Sequence, residues 1–170
     1  VVTEDIRQGC GLMRDQAELL KTKFGSALAA ENKENEVVCI PGLRGREPKE
    51  ISLRTLAEVI QSRMEEIRER VYFEIKNSGL EKQLIAGVVL TGGGAQLKHL
   101  KQLVEYMTGM STRIGYPNEH IAKSAVEDVT SPLHATGVGL VMKGFDYLDR
   151  RRPHAADARN PTRRSASTVK

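Results

Sequence analysis

Apolar residues recur every three or four positions across residues 53–77, at Leu53, Leu56, Ile60, Met64, Ile67, Val71 and Ile75. That spacing lines one side of a long helix, while Glu65, Glu66, Arg68, Glu69, Arg70 and Lys76 fill the other faces. Ser52 stands at the N-cap position, and Asn77-Ser78-Gly79 is a stop signal. Ala57 and Phe73 broaden the stripe beyond a coiled-coil seam, which favours packing against a small sheet, with a coiled coil as the competing explanation. A looser stripe of Ile6, Leu12, Met13, Ala17, Leu20 and Phe24 predicts a helix over residues 4–24, weakened around Gly9 and Gly11. Thr3 is placed to cap it, and Gly25 to end it.

Between these helices, VVCI at residues 37–40 reads as a strand. The turn-rich stretch 41–50 then closes a hairpin onto a second short strand near residues 50–52. Further on, a strand is expected at 87–90, a helix at 95–107 ended by Gly109, and a strand at 112–117 closed by Pro117. Residues 121–125 read as a short helix or turn. Pro132 opens a last helix over 133–148, in which Ala135, Gly137 and Gly139 permit close packing. Two β-to-α units, 87–107 and 112–148, make this an α/β chain.

The richest stretch chemically is AGVVLTGGGAQL, residues 86–97. A short apolar run ends in Thr91 and three glycines, Gly92, Gly93 and Gly94, with a helical pattern following. Strand, glycine turn and helix start let a main chain approach a nucleotide closely. The same glycines also serve an ordinary strand-to-helix turn for steric reasons alone. Glu18 and Lys21 lie three apart and share a helix face, which by itself describes a solvent-facing ion pair.

Composition narrows the possibilities. Hydrophobic residues make up 39% of 170 positions and aromatics only 4%, with no Trp, so the core is mainly aliphatic. No apolar run approaches the roughly 20 residues of a membrane-spanning helix. The opening VVTEDIRQGC lacks both an initiator Met and a basic-then-apolar leader, and reads as part of a longer protein. Cys10 and Cys39 are expected as free, partly buried thiols. His99, His120, His134 and His154 are scattered without metal-ligand spacing. Residues 150–170 hold seven cations against Asp157, a balance of +6 within a net +4, so the rest of the chain carries −2. The Pro-, Ser-, Ala- and Arg-rich tail, 149–170, is expected to be a disordered linker. A mildly acidic body with seven Tyr and Phe residues offers neither basic groove nor stacking platform, which excludes a nucleic-acid binder.

Five segments in order and spacing resemble the actin-like ATPase superfamily and, within it, the FtsA family of bacterial cell-division proteins. They are Thr3 to Gly25 with its A-E-x-x-K-x-x-x-G, the L-R-T-L-A-E-V-I starting at Leu53, residues 86–97, the T-R-I-G-Y-P starting at Thr112, and the A-T-G-V-G-L starting at Ala135. The resemblance spans residues 1–148. It implies an actin-like, ribonuclease H-like second lobe, with residues 1–33 and 83–148 forming its central subdomain and 34–82 a smaller α+β insertion. It implies an adenosine pocket in which Gly92, Gly93 and Gly94 lie against adenine or the α-phosphate, Glu18 meets a ribose hydroxyl, and the Lys21 stem packs on the nucleoside. ATP with Mg²⁺ is the implied ligand of the full-length protein. The glycine-rich phosphate hairpins of that superfamily, including its D-x-G-x-x-T turn, do not occur in residues 1–170. The chain alone is therefore expected to bind ATP poorly and not to hydrolyse it. Implied partners are the C-terminal peptide of the tubulin-like FtsZ, met by Arg54 and Arg63, further copies in a filament, and the inner face of the membrane. A membrane-inserting amphipathic helix, usual in this family, is not seen in 151–170. The alternative within the superfamily is a sugar kinase or chaperone-type ATPase, against which the L-R-T-L-A-E-V-I segment and its long charged helix argue.

Overall fold

The computed structural model describes residues 1–33, 35–42, 47–118, 121 and 127–151. Two helices open the chain, α1 (Val2–Cys10) and α2 (Arg14–Phe24), where one had been expected over 4–24. Gly11 makes the break. It adopts φ 59°, ψ 48°, its N–H bonds Gln8 O, and the N–H of Leu12 reaches back to Arg7 O. Two such backward bonds around a left-handed glycine terminate a helix. Thr3 does not cap α1, as the sequence had suggested. It lies inside the first turn, and its hydroxyl donates to Glu18 instead. Gly25 ends α2 as expected.

Next, β1 (Val37–Ile40) and β2 (Lys49–Ser52) pair antiparallel, with Val37 opposite Ser52 and Ile40 opposite Lys49. Residues 43–46 of the expected turn lie outside the described residues. Ser52 sits at the N-cap position of α3 (Leu53–Asn77), although its hydroxyl makes no capping bond. Gly79, at φ 69°, closes that helix by bonding Lys76 O. The second sheet is parallel, with β3 (Val88–Leu90) beside β4 (Thr112–Ile114) and α4 (Leu100–Thr108) as the crossover. Gly109 at φ 66° ends α4.

The helix expected over 95–107 is shorter at its start. Residues Gly93–Gln96 form a single 3-10 turn, and the α-helix begins only at Leu100. Between them, Lys98 bridges to Ser26, its carbonyl accepting the Ala27 N–H at 2.8 Å, and His99 takes φ 61°. Backbone groups bonded to another segment are unavailable to a continuous helix. The last helix, α5 (Ala135–Arg151), follows a 3-10 turn at Pro132–His134 and extends three residues past the expected end. Residues 122–126, and the tail from 152, lie outside the described residues.

Two cores meet. Ile6, Cys10, Ala17, Leu20, Ile40, Ile51, Leu56 and Ile60 bring α1, α2, the hairpin and the first half of α3 together. Ala27, Leu100 and Leu103 form the second, and Met64 and Leu97 pack against both. The long stripe of α3 is therefore split. Leu56 and Ile60 have no exposed surface, whereas Val71 is 54% and Phe73 62% exposed. The first half packs on the hairpin and α1, as the broad stripe suggested. On α5, Leu140, Val141, Phe145 and Leu148 face outward. Among the described residues, no helix is long and apolar enough to cross a membrane. Both cysteines are free, Cys10 buried and Cys39 exposed rather than half-buried.

Truncation along α3 should separate its two halves. Leu56→Ala is expected to cost about 2–5 kcal/mol in chemical denaturation, because neighbours collapse only partly around the lost side chain. Phe73→Ala, on the exposed half, should stay within about 1 kcal/mol.

Candidate functional site: a cleft between α1, α2 and the glycine turn

Helix α2 presents Glu18 and Lys21 on one face, one turn apart, and α1 lays Thr3 across them. The Lys21 ammonium donates to Glu18 Oε1 at 2.6 Å and to Thr3 Oγ1 at 3.1 Å, while the Thr3 hydroxyl donates to Glu18 Oε2. First Lys21 and then Thr3 hold the Glu18 carboxyl below its ordinary range. Lys21 keeps a quarter of its side chain exposed. Thr22 turns back to bond the carbonyls of Glu18 and Leu19.

Opposite lies the glycine turn, in which the three glycines have different tasks. Gly92 adopts φ 86°, ψ 177°, a region essentially closed to other residues, and its N–H bonds Pro132 O. A Cβ on Gly93 would come within 2.9 Å of Leu133 Cδ1. A Cβ on Gly94 would meet nothing within 4 Å. Beyond the turn, Gln96 Nε2 donates to Ser131 Oγ at 2.8 Å, which ties it to the start of the last helix.

Between the two sides lies a cleft of about 380 Å³, lined by Thr3, Lys21 and Thr22 on one side and Gly93, Gly94 and Lys98 on the other. Met64 of α3 and Leu97 also line it. Of the residues singled out from sequence, Lys21, Gly93 and Gly94 face the cleft directly. Glu18 acts through its bonds to Lys21 and Thr3, and Gly92 through the shape of the turn. Sequence reading missed Thr3, Thr22, Met64 and Lys98 as cleft residues. Thr22 was within reach, since it follows Lys21 and sits four residues from Glu18. Met64 and Lys98 carry no local signal.

The two arginines of α3 stand apart from this cleft and from each other in character. Arg54 is partly exposed and pairs with Glu58 at 3.5 Å. Arg63, expected on an exposed face, is instead engaged. Its Nε and Nη2 grip Asp5 of α1 at 2.6 and 2.8 Å, and its Nη1 bonds Glu66, which also accepts from Arg70 at 2.5 Å. The bidentate bond to Arg63 holds the Asp5 carboxyl below its ordinary range. His99, at the head of α4, meets Ser26 Oγ through Nδ1 at 2.9 Å. Among the described residues, no cluster of three or more His, Cys, Asp or Glu could hold a metal ion.

The family description "Cell division protein FtsA" matches residues 1–139. The chain belongs to the FtsA family. Relatives include Cell division protein FtsA of Pseudomonas aeruginosa, 35% identical over 144 residues, and that of Escherichia coli K12, 34% identical over 151. Each alignment takes in 85% of this chain, which spans about a third of the relatives' length, 34% and 36% respectively. Two crystal structures of MreB5 of Spiroplasma citri, one bound to ADP and one to AMPPNP, resemble it in fold. Their TM-scores are 0.59 and 0.60, at 16% and 17% identity, over 89% and 88% of this chain and 46% and 44% of theirs. The α/β architecture is therefore actin-like, and the sequence is that of the FtsA family. Membership of the FtsA family sets aside the sugar-kinase and chaperone-type alternatives.

The Asp5–Arg63 clamp carries a pH signature. A carboxyl whose folded pKa is depressed stabilises the fold above its unfolded pKa and loses that contribution as pH falls through the folded value. Thermal unfolding followed downward from neutral pH should show stability falling below the ordinary carboxylate range. Asp5→Asn should lower stability at neutral pH and flatten that acid-side decline.

Proposed function

We propose that this chain is the second lobe of an ATP-binding actin-like adaptor. The adaptor links the FtsZ ring to the inner face of the membrane at the division site and self-associates into filaments. The observation that carries the reading is the cleft itself, with a paired lysine on one wall and an unfilled glycine main chain on the other. Residues 1–33 and 83–148 would supply the central subdomain and 34–82 the smaller one, with the larger core running across that division.

The cleft fits an adenine nucleotide. The space beside Gly94 admits a flat base or a phosphate against the main chain, the stem of Lys21 supplies apolar contact, and its ammonium stays polar. Glu18, kept ionised by Lys21 and Thr3 and outside the cleft lining, would accept from a ribose hydroxyl through lone pairs that those two donors leave free. Thr22 and Lys98 add a hydroxyl and a second cation at the rim. ADP and AMPPNP in the two MreB5 structures support the choice of nucleotide. ATP with Mg²⁺ would bring a transferable phosphoryl group, and the residues of this cleft would bind and orient its nucleoside end.

For the FtsZ C-terminal peptide we propose the first half of α3 as the docking surface, with Arg54 and Arg63 as its cations. Arg54 is the more accessible of the two. Arg63 would serve docking and structure together, because Asp5 and Glu66 already share its guanidinium. Charge-assisted hydrogen bonds to peptide carboxylates are the expected chemistry.

The glycines test the nucleotide assignment. In the full-length protein, Gly94→Val should reduce ATP affinity at least about tenfold in calorimetry while the melting temperature holds, since its side chain enters open space. Gly92→Ala should instead lower the melting temperature, because φ 86° strains any residue with a Cβ. Unchanged ATP affinity in Gly94→Val would make the turn structural only.

Charge reversal tests the docking surface. Arg54→Glu should weaken FtsZ-peptide binding by about 1–3 kcal/mol, with the loss shrinking as salt rises, and leave stability nearly unchanged. Arg63→Glu should weaken peptide binding and also cost about 1–3 kcal/mol of stability, since it breaks the clamp on Asp5. Peptide affinity unaffected by both reversals at low salt would move the docking surface elsewhere.

A further inference from the structure

Helix α1 is anchored on two sides. Towards α2, Thr3 bonds both Glu18 and Lys21, at the wall of the cleft. Towards α3, Asp5 receives the Nε and Nη2 edge of Arg63. Two positions along a helix turn it by about 200°, so the anchors leave α1 in nearly opposite directions. Ile6, with no exposed surface, fills the core beside them. One short helix thus touches both the nucleotide cleft and a docking arginine.

The donors of Arg63 are already distributed. Asp5 takes the paired Nε and Nη2 edge, and Glu66 takes Nη1 while keeping a second partner in Arg70. A carboxylate arriving in the favoured two-pronged geometry competes with Asp5 for the paired edge. When it wins, α1 loses its tie to α3, and the hold of Thr3 on Glu18 and Lys21 loosens.

The geometry points to α1 as a coupling element between the two sites. An acidic peptide that takes the paired edge of Arg63 from Asp5 weakens nucleotide binding in the cleft, and bound nucleotide weakens the peptide by the same factor. The inference rests on the nucleotide and peptide assignments proposed above. The sign follows from the competition, because the nucleotide favours an α1 held in place and the peptide favours one released.

The test measures ATP affinity of the full-length protein by calorimetry, with and without saturating synthetic FtsZ C-terminal peptide, and peptide affinity with and without ATP. The peptide should weaken ATP binding on the order of fivefold, and ATP should weaken the peptide equally. Asp5→Asn should tighten the peptide and abolish the mutual effect. Thr3→Val should alter ATP affinity, leave the peptide in the absence of ATP bound at least as tightly as before because α1 is held less firmly, and also abolish the mutual effect. Peptide binding with unchanged ATP affinity overturns the coupling and leaves the docking assignment standing. Failure of either ligand to bind overturns that ligand's assignment and the coupling with it. An Asp5→Asn protein that binds peptide more weakly, or keeps the mutual effect, overturns the relay. If Asp5→Asn does not fold, Thr3→Val decides: loss of the mutual effect supports the relay and its persistence overturns it.

Discussion

The packing of α1 between α2 and α3 is the constraint from which the other features of this lobe follow. Ile6 is fully buried in the larger core with Leu20, Leu56 and Ile60. Burial of one such side chain contributes about 1.5–3 kcal/mol, so this aliphatic contact supplies the driving force. It does not fix direction, because apolar contacts tolerate sliding and rotation. Direction comes from the polar anchors, Thr3 on one side and Asp5 on the other. Break the helix one turn later than Gly11, and α2 would no longer fold back to meet them.

The cleft depends on this arrangement and on a division of labour within three glycines. Gly92 supplies a backbone angle, Gly93 leaves room for Leu133, and Gly94 leaves room for something outside the chain. Gly93 and Gly94 both line the cleft, while Gly92 and Gly93 also seat the turn against the start of the last helix. The wall opposite is electrostatically preset, since Glu18 is ionised and Lys21 already oriented before any ligand arrives. Preset groups lose less freedom on binding.

A two-stranded parallel sheet such as β3 with β4 has little stability by itself. Here it leans on α4 and, through Met64 and Leu97, on the larger core. Those same two side chains line the cleft. The joint between the cores and the wall of the site are thus one piece of structure, and a ligand there would touch residues from both.

Much of this was legible in the sequence because the signals are local. The period of the α3 stripe gave the helix Leu53–Asn77, the short apolar run VVCI gave β1, and the glycine run marked the turn. The ordered motifs also gave the family and the actin-like fold. The split of the first helix at Gly11, the role of Thr3 and the late start of α4 at Leu100 were not legible. The last two are decided by partners far along the chain, Glu18 for Thr3 and Ser26 with Ala27 for Lys98, whereas the split rests on the left-handed turn at Gly11, where the sequence showed only a weakened stripe. The sequence also presented Arg54 and Arg63 as equivalent surface cations. Only the tertiary structure separates them, because Asp5, 58 residues away, lies within hydrogen-bond distance of Arg63. Periodicity reports which face a residue occupies, and composition reports what it offers; which distant group answers that offer is set by the packing of α1, which no local pattern encodes.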